Sequence, residues 1–445
     1  MRFYKMITAV AAFTCSLVLV QHASPANIFA ASSSLQDVQA AVSLAANGDR
    51  VVIPPGSSTW ASTLLIRKSI ELTGGGTYAV NASHQDAGTW PLTITFSHGA
   101  DGIDVAATGG YVRITGIKFL GTVSYGSNAG GAIGIVSTNT AAWRIDNCYF
   151  NLTGNAAGCA CSGLGGLIDH IYAFDPSCTA NNGIVAQDIR NDFTGGWAIS
   201  QPVGFGGSSF MFIEDSTFWK DVAIGAASCY FLDAQAGGKI VLRHNYGNNT
   251  FITWHGTDTS VPERGGYAFE IYDNEFVWAL PQYRCFCAVF ARGGPSLIYN
   301  NKATNYTDFV KTWVRRTEES EGIFGLADGT HPWDGNWGGA YPVGYPVMDQ
   351  PGRGQAAGWG TGPSYEPLNV QPQAVSEMYI WNNKLINTDP IANADPLYVV
   401  QGRDYELSAD SSAQLPGYTP YTYPHPLQSG SSTVRPNPPT GLRLK

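Results

Sequence analysis

Eight times along this chain an aliphatic residue is followed by a polar pair rich in Asn and Asp. The copies are Arg144-Ile145-Asp146-Asn147, Leu167-Ile168-Asp169-His170, Ile189-Arg190-Asn191-Asp192, Ile213-Glu214-Asp215-Ser216, Leu242-Arg243-His244-Asn245, Ile271-Tyr272-Asp273-Asn274, Ile298-Tyr299-Asn300-Asn301 and Ile380-Trp381-Asn382-Asn383. Measured at their last residues, they lie 23, 22, 24, 29, 29, 27 and then 82 residues apart. Near-equal steps followed by one long gap describe a solenoid of stacked coils with an insertion. A Gly-Gly pair keeps step with the motif, at Gly109-Gly110, Gly165-Gly166, Gly206-Gly207, Gly237-Gly238, Gly265-Gly266 and Gly293-Gly294. Glycine makes a tight corner, a β-branched or aromatic strand follows, and Asn or Asp closes it at a turn. Coils stacked at the strand spacing of ~4.8 Å would line identical turn residues into a side-chain ladder. Leucine-rich repeats need an L-x-x-L-x-L pattern that is missing, and propeller blades are longer. The expected fold is all-β: a right-handed parallel β-helix.

Such a solenoid needs a cap at its open end. Residues 31–62 supply one. Ser34 and Asp37 resemble a capping box, and Leu35, Val38, Val42 and Ala45 fall on one helical face up to Asn47-Gly48. Strands are expected at Val51 to Ile53, Leu64 to Arg67 and Ile70 to Thr73, with the solenoid filling residues 63–427. The insertion is placed at 302–378 and is rich in Trp and Tyr, including Trp333 and Trp337. A loop that long is usually functional.

Residues 1–30 read as an export signal. Arg2 and Lys5 precede Met6 to Val20, a run of fifteen uncharged residues, and small residues follow with cleavage points near Ala26 or Ala30. That run is shorter than the ~20 residues of a membrane span, so a secreted protein, extracellular or at the cell surface, is expected. The net charge of −9 becomes −11 when the two basic residues leave with the signal. This disfavours nucleic acid and anionic membranes as partners. Seven cysteines then remain, and Cys159, Cys161 and Cys178 share a loop-rich stretch where a disulfide would suit an oxidising compartment. Neither Cys-x-Cys has the spacing of a zinc site.

The stretch "AAVSLAANGDRVVIPPG" followed by "LLIRKSIELTGGG" resembles the opening of secreted pectate-lyase-like β-helix proteins. The likeness runs from about Leu35 to Leu427. "MDQPGRG" and "YTPYTYPHPL" are similar to segments of secreted bacterial members without an assigned activity. The resemblance implies a carbohydrate-active protein on an extracellular polysaccharide: lyase, glycoside hydrolase, esterase, epimerase or non-enzymatic adhesin. Ile168-Asp169-His170 is similar to the W-I-D-H stretch of pectate lyases, but the Trp is missing, and so is their R-x-P-x-x-R motif. That departs from calcium-dependent pectate lysis. No cofactor motif is evident, and calcium stays open without a motif to carry it. The tail, residues 428–445, is Pro-rich, and "PNPPTGLRLK" resembles the start of a fibronectin-type module, a linker to a further domain.

Candidate chemistry gathers late in the regular coils. Aligned on the Gly-Gly corners, Arg264 and Arg292 fall at the same position of consecutive coils. Such a pair could hold a uronate carboxylate, or could instead form ion pairs with Asp233, Glu263 or Glu270. Asp233 and His255 lie upstream on the same wall, with Trp254 beside His255; His244 and Glu270 follow the corner. In a lyase, Arg264 and Arg292 would neutralise the carboxylate and His255 would take the proton. In a hydrolase, Asp233 and Glu270 would flank the bond. Trp254, Trp333, Trp337, His244 and Glu270 are the substrate-binding candidates. The other reading is a non-catalytic glycan-binding surface protein or adhesin.

Overall fold

The computed structural model describes residues 24–99, 101–107, 109–123, 131–136, 142–153, 159–162, 165–176, 184–187, 203–221, 230–235, 237–256, 265–280, 284–318, 325–330, 334, 345–347, 350–355 and 374–429. The chain winds through three parallel sheets of 12, 10 and 10 strands, entering each in turn on every coil from Arg50–Val52 to Asp389–Asn393. Sheet 1 runs from Asn27–Phe29 to Tyr405–Ser408, sheet 2 from Gly56–Trp60 to Lys384–Ile386, and sheet 3 from Leu64–Ile66 to Asp389–Asn393. This is the parallel β-helix that the repeat predicted.

Period-two alternation decides which side chains enter the bore. In sheet 1 the row Ile114, Ile145, Ile168, Ile213, Leu242, Ile271, Ile298 and Ile380 is in register from coil to coil. All eight are buried in the central core. Two residues further on, the chain turns sharply from sheet 1 into sheet 2. Asn147, His170, Asp215, His244, Asp273, Asn300 and Asn382 hold that corner with φ between 51° and 56°. Asn, Asp and His tolerate this left-handed conformation better than other side chains that carry a Cβ.

The next residue points back inside and forms the ladder Asn245, Asn274, Asn301 and Asn383. The Nδ2 of Asn274 donates to the Tyr272 carbonyl at 3.0 Å and to the Leu242 carbonyl of the preceding coil at 2.9 Å. Its Oδ1 accepts the main-chain N–H and the Nδ2 of Asn245, both at 3.0 Å. Cys148 imitates this in an early coil, its Sγ donating to the Asp146 carbonyl at 3.2 Å.

The motif count needs two corrections. The strand Gly166–Asp169 pairs directly with Met211–Glu214, Leu167 opposite Phe212, so no rung fits between them. Ile189-Arg190-Asn191-Asp192 lies outside the described residues, and between these two sheet 1 strands, where two coils were expected, the chain makes one long coil. The insertion also starts later than residue 302. Lys302–Thr304 and Asp308–Thr312 are regular rungs of sheets 2 and 3, and the next sheet 1 strand is Met378–Trp381.

The N-terminal cap is helix α1 (Leu35–Leu44). Ser34 accepts from the Asp37 N–H, Val38, Ala41 and Val42 are buried, and the helix closes at Ala45, before Asn47-Gly48. At the other end, residues 409–429 turn back as a strap over the outer face of sheet 1. The Arg243 guanidinium donates to the Tyr421 and Thr422 carbonyls at 2.7 and 2.8 Å, and Arg144 to those of Leu427 and Gln428 at 3.2 and 3.1 Å. Each guanidinium is also held by a carboxylate, Arg243 by Glu214 at 2.6 Å and Arg144 by both oxygens of Asp169 at 2.7 Å. Tyr418 packs edge-on to Tyr299 and Trp381, part of a stack in which Tyr272, Tyr299 and Trp381 are 4.7 and 4.3 Å apart.

Two outcomes follow. Asn274→Ala leaves buried donors and acceptors without partners on two coils and should cost about 2–4 kcal/mol, read as a lowered urea midpoint with the parallel-sheet circular dichroism retained. His425 is buried in the strap beside Arg243 and Arg144; desolvation and these cations push its pKa down to about 3 from 6.5. The folded chain therefore binds this proton less readily than the unfolded one. Its contribution vanishes above pH 6.5 and grows increasingly destabilising between pH 6.5 and 3, by up to ~1.4 kcal/mol per pH unit. Thermal melts of the parent and His425→Gln should diverge over that interval, the variant losing less stability; parallel curves would remove His425 as a cause.

Candidate functional site

Sheet 3 carries the candidate site. Leu232, Ile252, Val289 and Val310 stand in one inward row of strands Tyr230–Ala234, Phe251–Trp254, Cys287–Ala291 and Asp308–Thr312. Alternation then turns Asp233, Thr253, Phe290 and Lys311 outward, and returns Trp254, Ala291 and Thr312 inward. The ladder continues one residue past the strand ends: the His255 N–H donates to Ala234 at 2.8 Å and that of Trp313 to Ala291 at 3.1 Å. His255, Arg292 and Trp313 are thus a second outward row on three successive rungs.

His255 Nε2 lies 3.1 Å from Asp233 Oδ2, both side chains largely buried. With the hydrogen on Nε2, Asp233 accepts it and the neutral ring carries its lone pair on Nδ1. Asp233 Oδ1 and Thr253 Oγ1 are buried without a hydrogen-bond partner among the described residues. The Arg292 Nε donates to the Trp254 carbonyl at 3.2 Å, and its guanidinium carbon stands 5.5 Å from the centre of the Phe290 ring. An acid-oriented imidazole with a guanidinium on the next rung can take a proton beside a bound anion.

The structure brings Asp233, His255 and Arg292 to one face and sets Trp254, Glu270 and His244 apart from them. Arg264 lies outside the described residues. The expected level pairing of Arg264 with Arg292 therefore falls outside the described residues. Across sheet 3, Trp254 pairs with Ala291, so His255 is the neighbour of Arg292.

Trp254 belongs to the core. It is fully buried, stacks on Phe269 at 4.0 Å and donates from Nε1 to the Gly293 carbonyl at 2.5 Å. It therefore cannot offer a face to a sugar. Glu270 faces outward on sheet 1 beneath the strap, accepting the Gly206 N–H at 2.8 Å and the Tyr418 hydroxyl. Burial raises its pKa. On another sheet from Asp233, it cannot complete a carboxylate pair with it.

His244 occupies the corner between sheets 1 and 2. It stacks on Tyr423 at 3.8 Å and lines a cleft of about 510 Å³ with Asp215, Tyr246 and Asp273. Burial lowers its pKa. Asp169 and His170 are structural: Asp169 holds Arg144, and His170 turns the corner. Trp333, Trp337 and Asp349 lie outside the described residues, as do Cys178 and the side chains of Cys159 and Cys161; Arg353 pins the insertion to the last coil through Asp404 at 3.1 Å. Among the described residues no three His, Cys, Asp or Glu side chains are placed to hold a metal ion, and no helix is long and apolar enough to cross a membrane.

No protein-family model matches the chain, and no curated protein matches it. Among solved structures it is similar to an alginate lyase from Paenibacillus sp. str. FPU-7, with 14% identity over 64% of this chain and 97% of that one at a TM-score of 0.40. A PL6 family polysaccharide lyase from Pseudopedobacter saltans aligns at 11% identity over 83% and 78%, with a TM-score of 0.40. The tailspike gp49 of Acinetobacter baumannii bacteriophage Fri1, a capsular polysaccharide depolymerase, aligns at 11% over 65% and 56%, with a TM-score of 0.29. Likenesses this distant add nothing to the chemistry of the site.

If Trp254 is a core residue, Trp254→Ala should lower stability by about 3–5 kcal/mol. A thermal midpoint equal to the parent's would remove Trp254 from the core.

Proposed function

We propose that this chain is a secreted enzyme that cleaves an acidic extracellular polysaccharide, by elimination rather than hydrolysis. The observation that carries the reading is the Asp233–His255 pair at 3.1 Å, with Arg292 on the adjoining rung of the same face. Elimination needs one base and a cation for the carboxylate. Hydrolysis needs two carboxylates across the scissile bond, and Glu270, the proposed partner, lies under the strap.

Arg292 binds the uronate carboxylate and draws charge from it, which acidifies the adjacent ring C–H. His255 takes that proton on Nδ1 while Asp233 holds the ring and stabilises the imidazolium. The C–H electron pair becomes a C=C bond as the neighbouring glycosidic C–O bond breaks. The leaving oxygen then collects a proton from the imidazolium or from water. The products are an unsaturated sugar end and an ordinary one.

Alginate, polygalacturonate and neutral glycans, incubated with the protein, separate the alternatives. Elimination gives ultraviolet absorbance from the new double bond, and hydrolysis gives reducing ends alone. Retention without either signal would make the protein a binder and end the enzyme reading. With turnover in hand, His255→Ala should lower kcat about a hundred- to ten-thousandfold, and Arg292→Ala should act on both kcat and KM. An active His255→Ala enzyme would dismiss the imidazole as base.

A further inference from the structure

Beside Arg292 and on the next rung towards the C-terminal end, sheet 3 carries a cluster that the proposed chemistry does not use. Phe290 is its centre. Trp313 lies parallel to it, with centroids 5.8 Å apart and planes 8° from parallel. The Lys311 ammonium stands 5.9 Å from the same ring and 5.4 Å from that of Phe286. Arg315 stands 5.9 Å from the Trp313 ring. All five are partly exposed, and Phe290, Lys311 and Trp313 lie on the outward rows that hold Asp233, His255 and Arg292.

Two features of this arrangement suit a charged sugar. Ring faces receive the C–H surface of a pyranose, and ammonium and guanidinium groups held beside them receive its carboxylate. The cations are repeated along the stack: Arg292 on one rung, Lys311 and Arg315 on or just after the next. Rungs are ~4.8 Å apart, close to the repeat of an extended glycan chain, so neighbouring sugar units meet neighbouring rungs.

We infer that Phe290, Lys311 and Trp313 bind the sugar units adjoining the one that reacts at His255, so that the acidic glycan lies along the stack of rungs and not around a coil. This rests on the proposed elimination at His255. The three are positioning residues; none touches the reacting atoms.

The test compares the parent chain with Trp313→Ala, Trp313→Leu, Lys311→Gln and Lys311→Arg on alginate and polygalacturonate, with thermal midpoints confirming folding. On the polymer that the parent cleaves, loss of the Trp313 ring or the Lys311 charge should raise KM about tenfold, the scale of one aromatic or charged contact. The kcat should stay within about twofold, and Lys311→Arg should restore KM. Unchanged KM in Trp313→Leu and Lys311→Gln overturns the inference while leaving elimination intact. If the parent cleaves neither polymer, elimination fails, and retardation of the parent by each polymer in native gels tests the surface alone. Retardation that Trp313→Leu and Lys311→Gln abolish upholds the surface; equal retardation, or none by the parent, overturns it.

Discussion

The left-handed corner between sheets 1 and 2 is the constraint on which this molecule depends. A strand that enters it is redirected within two residues, and the backbone groups exposed by so sharp a turn have no sheet partner. Asn245, Asn274, Asn301 and Asn383 supply those partners from inside. Each amide bonds two coils at once, which fixes their relative height and rotation. Once the corner is repeated in register, the sheets that leave it are in register too.

That register produces the site. Nothing in the local sequence joins Asp233 to His255, or His255 to Arg292; they are 22 and 37 residues apart. Successive coils of different length nonetheless deliver them to one face, because sheet 3 realigns after each loop. Coil length can therefore vary freely without moving the outward rows. The candidate residues sit on the paired strands of sheet 3 and the residues just past their ends.

Much of the fold was legible in the sequence because the corner leaves a compositional trace. Ile or Leu before Asn or Asp marks a rung, and Ser34 with Asp37 marks the cap. The failures have physical causes. Ile189-Arg190-Asn191-Asp192 has the composition of a corner, but the sheet 1 strands on either side of it pair directly with each other, and composition cannot report a neighbour. Trp254 and Glu270 were misplaced for a related reason: alternation settles whether a residue points in or out only once the strand start is known, and the strap over Glu270 is a contact across 148 residues. Lys311 was overlooked, and Trp313 was read as an aromatic of the insertion, because the insertion was begun at residue 302, which hid a regular strand. Its pattern, Asp308–Thr312, is the signal that could have found them.

The strap changes how the solenoid bears load. Stacked coils touch only their neighbours, and a pull on one end would peel them away singly. Here the chain beyond the last rung, Tyr405–Ser408, travels back to Arg144, so tension applied at Ser429 enters the stack beside an early coil. It must shear the guanidinium contacts of Arg144 and Arg243 together with the Tyr418 packing before the terminal coil feels it. Contacts loaded in parallel fail together and not in turn. The strap thereby makes a filament-like fold answer force from that end as a single body.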